Sequence, residues 1–223
     1  MESSLKNMTL VLFVITLVAA TAVGMVYKVT EEPIALAKAA GKTLALSRVL
    51  PEFDNDPMAE EEVFDMEGIP VTVYPAKKEG ETVGYAVETA TNRGFSGEIR
   101  MMIGFLPDGK IHNIQVLQHA ETPGLGGKIA DPDNVLAVSF RGNNPADLQM
   151  SVRKDGGDID AITASTITSR AYIDAVARGY KAMKISQSEA EEAWNVHSDA
   201  VSGATNTTSS ESTKNQKGEE THE

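Results

Sequence analysis

The 223-residue chain is acidic, with a formal charge of −12, and 41% of its residues are hydrophobic. That balance supports a folded core and excludes a nucleic-acid binder, because no clustered Lys/Arg footprint is present to neutralise phosphates. Cysteine is absent, which excludes disulfides, thiolate zinc sites and cysteine-held iron–sulfur clusters; His112, His119, His197 and His222 show no paired ligand spacing, so no metal site is assigned.

Residues 1–6 precede an uncharged run of 21 residues, 7–27, lying between Lys6 and Lys28. As a helix this run is about 30 Å long, the thickness of a bilayer's hydrocarbon core. It reads as a single transmembrane helix. The rival reading is a cleaved signal peptide with an A-x-A-like site at Ala20 to Ala22, beyond which the apolar run continues. Lys6 on one flank faces Lys28, Lys38, Lys42 and Arg48 on the other, a bias toward a cytoplasmic domain that long domains override.

Residues 28–60 read as a connecting segment. An amphipathic helix over 31–48 opens with Glu31, Glu32 and Pro33, repeats Ile34, Leu36, Ala37, Ala40, Leu44 and Leu46, and stops at Pro51. The acidic stretch PEFDNDPMAEEE follows as a loop. A domain over 61–197 comes next. Between Gly68 and Leu117, the stretches IPVTVYPAK, TVGYAVETA, GEIRMMIGFL and KIHNIQVLQ read as strands, separated by turns at KEGE, NRGFSG and PDGK. A loop with Gly124, Gly126 and Gly127 interrupts the strands, and a helix over 171–184 presents Ile173, Val176, Ala177, Tyr180 and Met183 on one face. Strands and helices do not alternate regularly, which predicts an α+β fold with a mostly antiparallel sheet and flanking helices. Residues 198–223, with no large apolar side chain after Val201, read as a disordered tail.

The stretch DAITAST, Asp160 to Thr166, sits just before that last helix, with Thr168 or Ser169 as its N-cap. One reading is a capped helix behind a turn of small residues. The other is an anion site, since free N–H groups and the helix dipole at an amino terminus favour a phosphate. Ala164 and Ser165 keep the loop thin, so a bulky group can approach the Thr166 hydroxyl. An unactivated threonine is a poor nucleophile, so a covalent bond there needs a base or a second enzyme. Asp160 is placed to hold a metal or the hydroxyl for such a visiting enzyme. In HAETPGLGG, His119 to Gly127, the glycines permit close backbone approach and Pro123 stiffens the entry. That loop serves either to contact a flat ligand through its main chain or as a tight connection between strands. A near copy of the threonine stretch, DAVSGAT from Asp199 to Thr205, lies in the tail.

Asp160, Thr163, Ala164, Ser165, Thr166, Thr168 and Ser169 follow the pattern D-x-x-[S/T]-G-A-[T/S]-x-T-S of an FMN-binding domain, with Ala164 for glycine and Ser165 for alanine. His119 to Gly126 follows the H-x-E-T-P-G-L-G loop, and RGFSGEIRMMIGFLPDGKI resembles the same domain's aromatic-then-glycine strand and Asp-Gly turn. Over roughly residues 5 to 185 the chain thus resembles the G subunits of Rnf ion-translocating electron-transport complexes, and is similar to the C subunit of sodium-pumping NADH:quinone reductase.

The resemblance implies an FMN whose phosphate is esterified to Thr166 by a flavin transferase that uses FAD. Asp160, Thr163, Ala164, Ser165, Thr168 and Ser169 would surround the attachment, with Glu121, Thr122, Gly124, Leu125 and Gly126 contributing to the flavin site and Thr205 as a possible second attachment. It implies electron carriage with no catalysis by this chain alone, alongside membrane, iron–sulfur and flavin subunits that receive electrons from ferredoxin or NADH and couple them to ion movement. It further implies a single pass through lipid of the cell inner membrane, with residues 1–6 cytoplasmic and the domain periplasmic. Two other readings stand beside it: a tethered sensor or reductase module that binds flavin noncovalently, and a structural subunit without a cofactor.

Overall fold

In the computed structural model residues 5–206 are described, with side chains through residue 190. The apolar run begins a single long helix, α1 (Leu5–Val49), which is long and apolar enough to cross a membrane. The sequence predicts two helices here; the structure has one, about 68 Å long, that continues through Pro33. Proline removes one backbone donor and so frees the carbonyl four residues earlier, that of Val29. Val29 is exposed, so solvent satisfies the freed carbonyl and the helix continues.

The predicted amphipathic face of α1 is also corrected. Ile34, Leu36 and Leu44 remain exposed, and only the last turns dock, through Ala45, Leu46 and Val49 followed by Leu50. Burying a Leu or Val side chain of this kind contributes about 1.5–3 kcal/mol. The docking is close: a Cβ on Gly104 would stand 1.7 Å from the Val49 carbonyl oxygen, so only glycine lets α1 end there.

Five strands form one antiparallel meander in the order β1 (Glu62–Met66), β2 (Ile69–Lys78), β3 (Glu81–Thr91), β4 (Ile99–Phe105), β5 (Ile111–His119). The four predicted strands are β2 to β5. β1 is a fifth that the sequence does not predict, its first residue falling in the acidic loop. Pairing explains β1: Glu62 to Met66 zip against Val73 to Ile69, closed by the two-residue turn Glu67–Gly68 with both φ values positive. The same turn geometry recurs at Glu79–Gly80 between β2 and β3.

After β5 come a 3₁₀ turn (Gly126–Ala130), a short helix α2 (Val135–Phe140) and two further 3₁₀ turns. Asn134 caps α2 by accepting from the N–H groups of Leu136 and Ala137, and Phe140 stacks against Tyr172 with ring centroids 6.3 Å apart. The chain continues into α3 (Thr166–Asn206), which extends beyond the predicted 171–184 in both directions and carries its backbone past Ser198, where the sequence predicts the tail to begin. Residues 207–223 of the predicted tail lie outside the described residues.

The result is three layers. α3 covers one face of the sheet, burying Ile173, Val176 and Met183 against Val71, Val73, Val87, Ile103 and Phe105. The end of α1 covers the other face, over Tyr74, Ala76, Ala86 and Met102. A charge cluster fastens this second layer. Lys42 Nζ lies 2.9 Å from Glu88 Oε2 and donates to the Tyr74 hydroxyl, which donates to the same carboxylate at 3.2 Å. Arg100 reaches Glu88 Oε1 at 3.4 Å.

Burial pushes the Glu88 carboxyl up, but Lys42, Tyr74 and Arg100 outweigh burial and hold it below the ordinary glutamate range. Desolvation pulls the Lys42 ammonium down, and Glu88 and Tyr74 reverse that and raise it. The Glu88 contribution to stability is therefore present above the unfolded glutamate range and is lost as pH falls through the lowered folded value. Glu88→Gln is expected to cost about 1–3 kcal/mol at neutral pH. Urea unfolding of the full chain in detergent checks this, and the deficit relative to the parent should shrink as pH falls from about 5 to about 3.

Candidate functional site

The threonine stretch forms a tight turn that launches α3. Ser165 N–H donates back to the Ile162 carbonyl at 3.0 Å, and Ala164 between them sits at φ +59°, in the left-handed region. Helix geometry begins at Thr166, because Ser169 N–H closes the first turn onto the Ser165 carbonyl at 3.0 Å. Ser165 is therefore the N-cap residue. The predicted caps, Thr168 and Ser169, lie inside the first turn because that hydrogen bond closes earlier in the chain than the apolar pattern suggests.

Within that turn the hydroxyls have different fates. Ser169 Oγ is buried, accepts from Ile162 N–H at 3.0 Å and donates to the Ser165 carbonyl at 2.9 Å. Thr168 Oγ1 is buried and donates to Glu121 Oε2 at 2.6 Å. Thr166, the first helical residue, is half-buried, and its Oγ1 makes no hydrogen bond among the described residues. The N–H groups of Thr166, Ile167 and Thr168 have no intrahelical acceptor, so free donors surround a free hydroxyl.

Glu121 joins this turn to the rest of the site. It is only 4% exposed, and its second oxygen, Oε1, accepts from Ser96 N–H at 3.0 Å. His119 Nδ1 accepts from Glu121 N–H at 3.2 Å, which fixes the entry to the glycine loop. The loop itself is closed on the Thr122 carbonyl, which accepts from Leu125 and Gly127 N–H. Gly124 has φ +77°, as its residue type suggests. Gly126 is needed for a different reason: a Cβ there would lie 2.6 Å from Glu121 Oε2 and 2.7 Å from Thr168 Oγ1.

Three segments thus meet on one carboxylate: the β3–β4 loop at Ser96, the glycine loop at Glu121 and Gly126, and the first turn of α3 at Thr168. Each projects an exposed apolar side chain from the residue next to the junction. These are Phe95, Leu125 and Ile167, with 67%, 45% and 49% of their surfaces exposed. The residues expected from sequence include Leu125 but not Phe95, Ser96 or Ile167. The aromatic of RGFSGEIR is the available signal for Phe95, whereas Ile167 reads as an ordinary helix residue.

The other expected members lie further out. Asp160 accepts from Arg153 Nε at 2.6 Å and so holds the entry to the turn by an exposed ion pair. Thr163 and Ala164 are exposed on the outside of the turn, as is Thr122 on the glycine loop. Thr205 falls at the end of α3, beyond the described side chains.

A sequence model for the FMN-binding domain matches residues 94–181, a span that contains all three converging segments. The G subunit of the ion-translocating oxidoreductase complex of Shewanella amazonensis is 34% identical over 199 residues, 85% of this chain and 93% of that relative. This chain belongs to the G-subunit family of these complexes. A Vibrio cholerae member is 33% identical over 185 residues, covering 79% of this chain and 88% of its own length. The Erwinia tasmaniensis member is 43% identical over a shorter stretch of 112 residues, 49% of this chain and 53% of the relative.

The site of this G-subunit family member gives two opposed expectations for stability. Ala164 holds a left-handed conformation that costs a non-glycine residue about 1–2 kcal/mol. Ala164→Gly should therefore stabilise the fold by up to about 1 kcal/mol. Gly126→Ala should destabilise it by about 2 kcal/mol or more, because the new methyl must break the Glu121–Thr168 bond. Denaturant midpoints of the two variants, measured against the parent under one condition, check both signs.

Proposed function

We propose that this chain is a membrane-anchored electron carrier whose FMN is esterified through its phosphate to Thr166 Oγ1. The observation that carries the reading is the free hydroxyl of Thr166 at the first residue of α3, beside buried neighbours whose hydroxyls are already bonded. The residues present fit such a group. Unpaired N–H groups at the helix start suit the phosphate. The exposed side chains of Phe95, Leu125 and Ile167 suit the faces of a flat apolar ring system.

Bound FMN supplies one- or two-electron carriage. The protein's part is attachment and orientation. Glu121 holds Thr168 and Ser96, and so fixes the segments that carry Ile167 and Phe95. No described residue that could act as a base bonds the Thr166 hydroxyl, so the ester calls for a separate flavin transferase. The transferase joins Thr166 Oγ1 to the flavin-side phosphorus of FAD, the Thr166 proton departs, and AMP leaves.

The relatives are named as subunits of ion-translocating oxidoreductase complexes, which supports placing this chain among other subunits that pass electrons and move ions. α1 is long and apolar enough for a single pass through lipid, and we assign that pass to the cell inner membrane. We place residues 1–6 in the cytoplasm and the flavin domain on the periplasmic side.

Thr166→Ala is expected to remove one FMN increment from the intact mass of the chain while its unfolding free energy changes by less than about 1 kcal/mol, since the substitution is in a half-buried turn. Thr166→Ser, which keeps a hydroxyl, should retain the increment. An additional increment that survives Thr166→Ala and disappears in Thr166→Ala/Thr205→Ala would mark Thr205 as the second attachment. A full set of increments on Thr166→Ala would overturn the assignment.

A further inference from the structure

We propose that the cleft between the free-standing part of α1 and the sheet receives an acidic, partly apolar segment of a neighbouring subunit of the complex. The inference rests on membership of the G-subunit family and not on the flavin ester. The cleft, about 970 Å³ in volume, lies on the face of the sheet opposite α3, walled by α1 from Ile34 to Arg48 and floored by Glu88, Arg100 and β5. α1 docks only from Ala45 onward, so the helix diverges from the sheet below that point and leaves the cleft open.

Its charge departs from that of the chain. In a protein of net charge −12, four cations line this cleft, Lys38, Lys42, Arg48 and Arg100, against the single carboxylate of Glu88. Lys42 and Arg100 are committed to that carboxylate. Among the described residues, Lys38 has no hydrogen-bond or ion-pair partner. Arg48 has no carboxylate partner either, its guanidinium reaching only the neutral Gln115 side chain at 3.4 Å. The nearest acids on α1, Glu31 and Glu32, do not line the cleft.

The two uncommitted cations stand ten residues apart on one helix, about 15 Å along its axis. Between them the wall carries Lys42, already paired with Glu88, and is otherwise apolar or small, with Ala39, Gly41, Leu44 and Ala45, while Ile34 marks the lower end. An extended segment rises about 3.3 Å per residue. A guest with two carboxylates four or five residues apart, and apolar side chains between them, matches both cations at once. The floor adds a second feature of the same kind: among the described residues β5 is an edge strand paired with β4 alone, and its stretch from Gln115 to Gln118 lines the cleft. The cleft lies above the predicted membrane span. Lys38 is 11 residues past Tyr27, about 16 Å along α1, which puts a partner's loop within reach and the lipid headgroups below it.

The test uses the whole complex purified from membranes through a tag on this chain. In Lys38→Glu/Arg48→Glu, co-purification of the other subunits should fall at least about tenfold, because two like-charge contacts replace two attractive ones. Both residues are exposed, so FMN content and the unfolding midpoint should be unchanged; these separate loss of docking from loss of fold or of flavin. A photo-crosslinker at Ala37 should join this chain to one neighbouring protein of the complex, through a peptide containing at least two Asp or Glu residues. Changing those acids to Lys should restore assembly of the charge-reversed chain. Full assembly of the double variant would overturn the proposal. A crosslink to lipid, to a second copy of this chain or to a peptide without acids would do the same.

Discussion

The buried carboxylate of Glu121 is the constraint on which the site depends. It accepts from Ser96 on one side and Thr168 on the other, so loops separated by dozens of residues are held within one hydrogen bond of each other. A polar group excluded from solvent is tolerated only when its hydrogen-bonding sites are filled, and both oxygens here are filled by donors from different segments. Removing either donor frees that segment and leaves one buried oxygen of Glu121 unpaired. The arrangement also requires Gly126, since no side chain fits between the carboxylate and the Thr168 hydroxyl.

That junction lies behind the start of α3. Thr168 and Ser169 are fixed by their bonds, and fixing them positions the first turn of α3, in which Thr166 keeps an uncommitted hydroxyl. The strained backbone at Ala164 belongs to the same turn, where a left-handed residue lets the chain reverse sharply enough to bring Ser165 onto the Ile162 carbonyl. The local geometry at the helix start is therefore determined from behind by Glu121 and from in front by a turn that glycine would accommodate more readily.

The opposite face of the sheet depends on α1. One helix serves as a candidate membrane span at its start and as a structural layer at its end. The docked layer is short, with Ala45, Leu46, Val49 and Leu50 over the sheet, and it is reinforced by the Lys42–Glu88–Tyr74 cluster. Because the intervening stretch around Pro33 is exposed, the angle between span and domain is set where that layer begins.

Much of this was legible in the residues. The uncharged run, the four long strands with their turn signals, the covering helix and the two loop motifs all follow from hydrophobic period, turn chemistry and residue type, which act locally. What the sequence left open has a common cause. The strand β1 is short and acidic and exists because β2 pairs with it. The union of two predicted helices into α1 depends on a solvated carbonyl at Val29, and the exposure of Ile34, Leu36 and Leu44 depends on where the helix leaves the sheet. The motifs name Thr166 and Glu121 separately; only the tertiary structure shows Glu121 holding Thr168 and Ser96 and thereby sets Phe95 and Ile167 beside them. Periodicity and motifs report what each segment prefers on its own, whereas which buried carboxylate meets which donor is decided by the sheet that brings distant segments together.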